Sequence, residues 1–427
     1  MDKVLSSSQP LQGDITVPGD KSISHRAVMI GAISEGTTEI SGFLHAADPL
    51  STIGCFRSLG IEHSFEGDRL LIRGKGLHGL RASGTILDAG NSGTTIRLMS
   101  GILAGQKFAT SISGDQYLVK RPMKRILDPL KRMGANISAT EAFTAPLTIN
   151  PIDHLNAIDY ELPIASAQVK SAVLFAGLYA QGTTRVIEHE PSRDHTERML
   201  NLNSVSEEGR KIIVVESGKK LEARVFAVPG DPSSAAFFIV AGSIIRGSEI
   251  RISNVGLNPT RTGFLSVLHK MGASITIENE RTVGGEPLGD LIVRSADLHT
   301  DIVLNGNIIP NIIDEIPILS VAAAFSVGRF EVRDAKDLRN KETDRITAVC
   351  DNLRRMGLTV DEYPDGFAFD SKNNLLHSTF NSYDDHRIAM AFGIAALALQ
   401  GESTIHDAGC VSISFPTFWE TIQVLQR

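Results

Sequence analysis

Val17-Pro18-Gly19-Asp20-Lys21-Ser22-Ile23-Ser24-His25-Arg26 returns in altered form as Val228-Pro229-Gly230-Asp231-Pro232-Ser233-Ser234-Ala235. The offset is about half of the 427-residue chain, so the protein reads as two related halves. The copies differ in charge. The first carries Lys21 and Arg26 at the start of an apolar helical pattern, whereas the second carries Pro232 and Ala235. A repeated scaffold that is charged in one copy only points to a site grafted onto a repeat.

Outward from this pair, one pattern recurs six times at intervals of roughly 70 residues. Each copy starts with a small or polar cluster, runs into a mostly apolar helix, reaches a glycine and enters a β-rich strand. The helices are predicted to open near Ser22, Ser92, Ser166, Ser233, Asp314 and Asp385. Strands are predicted to include Thr37 to Ile40, Thr183 to Ile187 and Ser403 to Ile405. A second helix in most copies stops at glycine, as in Leu59-Gly60, Met133-Gly134, Met271-Gly272 and Met356-Gly357, and a strand follows, as in Ala273 to Ile277. The copy near Leu200-Asn201-Leu202 lacks that glycine. Helices over Ile316 to Phe325 and Ile388 to Leu399 are apolar nearly all round and belong inside a domain, surrounded by sheets. The expected architecture is α/β, with two domains of three βαβαββ units each.

Composition sets the class. The chain is too long for one ordinary core. Its 42% hydrophobic and 21% charged residues are those of a globular protein. A net charge of −7 and a single tryptophan argue against a nucleic-acid binder. Cys55, Cys350 and Cys410 show no paired spacing and read as free thiols of a reducing compartment. No basic, apolar leader opens the chain, and the apolar run near Ala389 to Leu399 is too short to span a bilayer. A cytoplasmic protein outside the membrane is expected.

The helix starts carry unequal chemistry. Lys21, Ser22 and Arg26 stand at the first, Asn91-Ser92-Gly93-Thr94-Thr95 with Arg97 at the second, and Ser166-Ala167-Gln168 with Lys170 at the third. Asp314-Glu315 opens the fifth and Asp385-His386-Arg387 the sixth. Helix N-termini attract anions, so lysines and arginines placed there oppose the helix dipole and suggest a shared anionic ligand. Taken singly, each cluster has a bland reading. Gly90 to Thr95 can be a simple turn and lacks the ending of a P-loop; Lys341-Glu342-Thr343-Asp344-Arg345 can be a solvated helix turn; Lys120-Arg121-Pro122-Met123-Lys124-Arg125 can be a basic loop; Arg193-Asp194-His195 can be a surface cap. Their joint placement at equivalent ends of a repeat outweighs these readings.

Lys21, Arg26, Arg121, Arg193, Lys341, Arg345 and Arg387 supply cations suited to phosphate plus carboxylate. Asp314 and Glu342 are carboxylates able to divide general base and general acid work. The histidines share no metal-site spacing with cysteines or carboxylates, and no Ser-His-Asp order appears.

Pro18 to Arg26, Gly90 to Thr94, Lys120 to Met123, Ser166 to Gln168, Arg193 to Glu197, Lys341 to Arg345 and Asp385 to Arg387 together resemble the 5-enolpyruvylshikimate-3-phosphate synthase family, in order and over essentially the whole chain. The resemblance implies the enolpyruvyl transferase fold, an inside-out α/β barrel in each of two domains, with the active site in the interdomain cleft. The domains would be residues 1–19 plus 230–427 and residues 20–229. The implied reaction moves the enolpyruvyl group of phosphoenolpyruvate to the 5-hydroxyl of shikimate 3-phosphate and releases phosphate, on the route to chorismate and the aromatic amino acids. It implies no metal or organic cofactor, a monomer, and glyphosate as an inhibitor.

By the same resemblance, Lys21, Ser22, Arg26, Ser166, Gln168, Arg193, Asp314 and Lys341 would hold shikimate 3-phosphate. Lys21, Asn91, Gly93, Thr94, Arg121, Gln168, Arg345, His386 and Arg387 would hold phosphoenolpyruvate. Asp314 would accept the 5-hydroxyl proton, Glu342 would protonate the methylene carbon, and Lys21 would assist. Ile413, where many members carry lysine, and Ala167, where some carry serine, resemble the bacterial class II subgroup. Two alternatives stay open: the sister family of UDP-N-acetylglucosamine enolpyruvyl transferases, which typically has Lys-Asn at Lys21-Ser22 and a catalytic-loop cysteine, and a six-unit clamp on nucleic acid.

Overall fold

A computed structural model of the chain describes residues 1–7, 9–372 and 374–426. Six apolar helices open at the polar clusters: Lys21–Ile33, Gly93–Ala104, Ala167–Gly177, Pro232–Ile244, Ile316–Ala324 and His386–Ala398. Their ends lie within two residues of the expected ones, the usual latitude of helix termini. Five of the six carry a side-chain cap: Asp20, Ser92, Ser166, Asp231 and Asp385 accept from the backbone N–H of Ile23, Thr95, Val169, Ser233 and Arg387.

Each helix is followed by a strand in an outer sheet, and the sheets repeat one order. Ile302–Leu304 runs parallel to Arg329–Val332, which pairs antiparallel with Gly366–Asp370, and Val360–Tyr363 closes the edge. The same order holds around Thr110–Ser113, Thr183–Glu188, Glu35–Ser41 and Glu249–Gly256. For Glu35–Ser41 the parallel neighbour is Val225–Ala227, and for Glu249–Gly256 it is Gln12–Thr16, so distant segments complete these sheets. The sixth sheet has three strands, with Lys3–Ser6 paired antiparallel to Glu402–His406.

The chain forms two compact units. The Asp314 unit comprises Met1–Pro18, Pro229–Thr282 and Pro287–Arg427; the Lys21 unit comprises Gly19–Val228 and Val283–Glu286. The divisions thus fall one residue before the expected 19/20 and 229/230, and the hairpin tip Val283–Glu286 groups with the Lys21 unit. No composition shift in the sequence marks that tip. Close backbone approach explains the Pro-Gly at the first division. A Cβ on Gly19 would lie 1.9 Å from the Gly42 carbonyl oxygen, and one on Gly42, whose φ is +66°, would lie 2.4 Å from that of Val228.

Each unit has its own core. In the Asp314 unit, Phe237, Phe238, Leu319 and Phe392 of the inner helices meet Ile250, Phe330, Phe367 and Ile405 of the sheets. In the Lys21 unit, Met29, Met99 and Phe175 meet Ile72, Leu147 and Val186. Helices lie inside and sheets outside, because the inner helices have no polar face to give to water.

The outer helices Ala47–Ser58, Lys124–Arg132, Gly263–Lys270 and Arg345–Arg355 are followed by Gly60, Gly134, Gly272 and Gly357 at φ 86°, 90°, 90° and 90°. The next N–H returns to the carbonyl five residues back, as from Ile61 to Phe56 at 3.0 Å and from Ala273 to Leu268 at 2.9 Å. The copy without glycine closes the same way. Asn201 takes the left-handed conformation at φ 49°, and Leu202 N–H bonds the Glu197 carbonyl at 2.9 Å. Asparagine, the residue next most tolerant of that conformation, replaces glycine.

Among the described residues no single helix is long and apolar enough to cross a membrane. One bent pair, Gly306–Ile312 and Ile316–Ala324, passes by length and composition, and all of Ile316–Ala324 is buried in the core.

Candidate active site

The candidate residues fall in both units and form clusters within each. In the Asp314 unit the centre is the turn between the short helix Ile309–Ile312 and the inner helix Ile316–Ala324, which carries Asp314. The Asp314 carboxylate lies 3.3 Å from Arg345, 3.6 Å from Lys341 and 3.7 Å from Arg387, and the Arg387 guanidinium also donates to its backbone carbonyl at 3.2 Å. Arg345 opens the outer helix Arg345–Arg355, three residues after Glu342, which it meets at 2.6 Å. Asp385 takes the Arg345 Nε at 2.7 Å and caps the next inner helix. Within the Lys341 to Arg345 turn, Lys341, Glu342 and Asp344 stay partly exposed, whereas the Arg345 side chain is only 2% exposed. Burial works against the Arg345 charge, but Asp385, Glu342 and Asp314 outweigh it and hold the guanidinium protonated beyond its ordinary range. His386 is buried at the start of the same helix, beside Arg387.

The second copy of the opening motif carries no surface cation of its own. Instead, buried Arg261 bonds the capping Asp231 and the Ser233 hydroxyl, both at 2.8 Å, and Ser233 in turn donates to Glu315. An internal ion pair occupies the helix start.

In the Lys21 unit, Lys21 pairs with Asp48 at 3.2 Å and stays partly exposed. Ser22 is half-buried, and its hydroxyl has no protein hydrogen-bond partner among the described residues. Arg26 is buried. It donates to the Ser22 carbonyl at 2.9 Å, Thr196 Oγ1 at 2.6 Å and Ser171 Oγ at 2.8 Å. Burial pushes its guanidinium down to about 10, with Glu197 and Asp20 pulling the other way, so it is a cation at neutral pH. Its direct side-chain partners are hydroxyls, an arrangement that leaves its charge available to an anion.

A second group gathers at the Gly93 helix start. Arg121 donates to Asn91, and Asn91 donates to Asp115 at 2.9 Å. Gln168 uses both ends of its amide, accepting from Arg97 at 2.8 Å and donating to Thr94 at 3.2 Å. A Cβ on Gly93 would meet Arg97 at 2.7 Å and Arg121 at 3.3 Å. Below them, buried His25 bonds Thr52 at 2.7 Å, Thr52 bonds Thr95 at 2.8 Å, and Thr95 bonds the capping Ser92 at 2.8 Å, tying three helices together. Burial, then Lys21 and Arg26, press the His25 imidazole well below its ordinary range, so it is neutral. Ser166 caps its helix, and Arg193 stands half-buried just before the helix His195–Leu200. Arg193-Asp194-His195 is not a surface cap, because His195 is buried against Glu286 at 2.8 Å.

Sequence reasoning gave no ligand role to several residues on which these clusters depend: Asp48, Arg97, Ser171, Thr196 and Arg261. Arg97 was placed at the second helix start, one turn in, but not among the ligand residues. Thr196 and Ser171 carry no pattern of their own.

The fold is that of the enolpyruvyl transferases. At the level of fold, the chain matches the enolpyruvyl transferase NikO from Streptomyces tendae with a TM-score of 0.77 at 15% identity, covering 99% of this chain and 96% of that one. The sequence profile of EPSP synthase (3-phosphoshikimate 1-carboxyvinyltransferase) matches residues 5–422, and the chain belongs to this family. It is 50% identical over 426 residues to the 3-phosphoshikimate 1-carboxyvinyltransferase of Salinibacter ruber, covering 99% of each chain. The corresponding protein of Bacillus thuringiensis subsp. konkukian is also 50% identical, over 98% of this chain and 97% of that one. EPSP synthase from Acinetobacter baumannii superposes with a TM-score of 0.89 at 43% identity, covering 99% of this chain and 98% of that one.

Proposed function

We propose that this chain transfers the enolpyruvyl group of phosphoenolpyruvate to the 5-hydroxyl of shikimate 3-phosphate and releases phosphate, with Asp314 and Glu342 moving the protons. The observation that carries the assignment is the convergence of Lys341, Arg345 and Arg387 on the Asp314 carboxylate, with Glu342 on the same arginine. A polyanionic substrate replaces carboxylates on such cations and leaves them adjacent to the reacting atoms. Asp314 takes the 5-hydroxyl proton as the oxygen bonds the central carbon of phosphoenolpyruvate. Glu342 gives a proton to the methylene carbon, and a tetrahedral ketal results. Glu342 then takes back a methyl proton as phosphate departs with the proton that Asp314 had accepted, which restores the double bond and returns both carboxyl groups to their starting states.

Lys21, Ser22, Arg26, Ser166, Gln168 and Arg193, with Asp314 and Lys341, hold the acceptor. Lys21, Asn91, Gly93, Thr94, Arg121 and Gln168, with Arg345, His386 and Arg387, hold phosphoenolpyruvate, and glyphosate competes there. Gln168 is supported in this role by its fixed amide, and Arg26 by its hydroxyl partners. The chain works as a cytoplasmic monomer; its three free cysteines suit a reducing compartment.

The test is phosphate release from phosphoenolpyruvate by the purified chain. Release should require shikimate 3-phosphate. Equal release with UDP-N-acetylglucosamine as sole acceptor would overturn the assignment.

A further inference from the structure

Lys170 is fully buried in the helix Ala167–Gly177, one turn beyond Ser166. Its ammonium reaches Glu188 at 2.9 Å, Glu197 at 2.8 Å and the Ser192 carbonyl at 3.3 Å, so three acceptors meet its three protons. Burying three charged groups is a poor route to stability, because apolar side chains of similar volume often do as well or better. The partners of this triad suggest another purpose.

Glu188 uses its second oxygen to accept from the Ser192 backbone N–H at 3.3 Å and from the Ser192 hydroxyl. Together, Lys170 and Glu188 therefore hold the N–H, the carbonyl and the hydroxyl of Ser192, and Arg193 is the next residue. On the other arm, Glu197 follows Thr196 in the helix His195–Leu200. Thr196 accepts the Arg26 Nε at 2.6 Å and bonds Ser171 at 2.6 Å. Ser171 donates to the Ala167 carbonyl at 2.6 Å, which leaves its oxygen to accept from Arg26 at 2.8 Å. One lysine thus anchors the segments that carry Arg193 and the partner of Arg26.

We propose that Lys170 is a positioning residue for acceptor binding, acting through Glu188 and Ser192 on Arg193 and through Glu197 and Thr196 on Arg26. The proposal rests on the reading that Arg26 and Arg193 hold the anionic acceptor. It separates acceptor affinity from chemistry, since Arg26 and Arg193 are assigned to the acceptor and Asp314 and Glu342 to the proton transfers.

Thr196→Val keeps the shape and removes the acceptor for Arg26; Ser192→Ala loosens the Arg193 arm; Thr196→Ser is the conservative restoration. Shikimate 3-phosphate binding is measured by calorimetry, together with kcat, both KM values and the unfolding midpoint. Thr196→Val should weaken shikimate 3-phosphate by about ten-fold, the loss of one charge-assisted hydrogen bond, while kcat and the phosphoenolpyruvate KM stay unchanged. Thr196→Ser should restore binding. Lys170→Met should weaken the acceptor at least as much where it folds, and Thr196→Val with Ser192→Ala decide the matter where it does not. Lower midpoints with unchanged acceptor binding in both would overturn the proposal. Arg26→Met is the control: if acceptor binding survives it, the ligand reading fails; if only Arg26→Met loses binding, the reading stands and the positioning role of Lys170 falls.

Discussion

Asp385 holds the Arg345 Nε at 2.7 Å through one carboxylate oxygen while the other accepts the Arg387 backbone N–H at 2.8 Å. One side chain thereby starts the helix His386–Ala398 and fixes the guanidinium that reaches Asp314 and Glu342. The turn before it, Tyr383-Asp384, has two consecutive positive φ values of 52° and 56°, held by Tyr383 N–H on Asn381 at 2.8 Å and Tyr383 Oη on Asp351 at 3.0 Å. Asp351 belongs to the helix Arg345–Arg355, so the turn is tied to the element that carries Arg345.

Asp385→Asn keeps an oxygen for the cap but removes the charge that faces buried Arg345. Breaking a buried pair on one side costs on the order of 3 kcal/mol. Urea unfolding should show a loss of this size, and the phosphoenolpyruvate KM should rise. Unchanged stability and KM would mean that Glu342 and Asp314 alone suffice to hold Arg345.

Asp314→Asn and Glu342→Gln address the proton transfers. Each should lower kcat by a factor on the order of 10²–10⁴, the range for general acid–base groups. Because Asp314 also balances Lys341, Arg345 and Arg387, its replacement leaves excess positive charge, and phosphate as a simple anion should bind more tightly than to the parent. Near-normal turnover in both variants would remove the two carboxylates from the mechanism.

The thiols set a dependence on alkaline pH. Burial, with Asp88 adding to it, pushes Cys55 up to about 12; burial pushes Cys350 up to about 12 and Cys410 up to about 11. An unfolded thiol titrates near about 8.5. Above that pH the unfolded chain loses protons that the native chain keeps, so stability falls as pH rises from about 8.5 toward the native values. At pH 8 an aromatic disulfide reagent should react slowly with the native chain and at once with all three thiols in guanidinium. A rapidly reacting native thiol would contradict this. The urea midpoint should drop between pH 8 and pH 10, and drop less in Cys55→Ala.

The repeat was legible because most units are punctuated: a capping Asp or Ser starts the inner helix, and a left-handed glycine ends the outer one. Asn201 escaped because it performs the glycine's role without its signature. Asp314, Lys341, Glu342, Arg345 and Arg387 stood out as charges grouped at the helix starts of a repeat, and four of these five lie in two short stretches. Lys170 was noted at the third helix start and Thr196 within the Arg193 to Glu197 motif, but neither they nor Ser171 received a role. Their roles depend on contacts across 18 to 170 positions of chain, and a buried lysine has the same letter as an exposed one. The grouping of Val283–Glu286 with the Lys21 unit was equally hidden, since the hairpin that carries it reads as ordinary alternating strand.

Gly93 gives the sharpest test of the phosphoenolpyruvate residues. It sits at the first turn of an inner helix, and a methyl group there would come within 2.7 Å of the Arg97 guanidinium and 3.3 Å of the Arg121 guanidinium. Both contacts are with ends of flexible side chains, so the backbone can stay and the guanidinium groups must move. Arg97 would be drawn from Gln168, which it holds at 2.8 Å, and Arg121 from Asn91. Gly93→Ala should therefore fold with near-parent stability while the phosphoenolpyruvate KM rises, and glyphosate should weaken further, since the inhibitor depends on the same anion contacts in less space. Inhibition constants and KM values measured at fixed shikimate 3-phosphate check this. A glyphosate inhibition constant that is unchanged or tighter in Gly93→Ala would show that the ligand lies away from the Gly93 helix start, and Asn91, Thr94 and Arg121 would lose their assigned role with it.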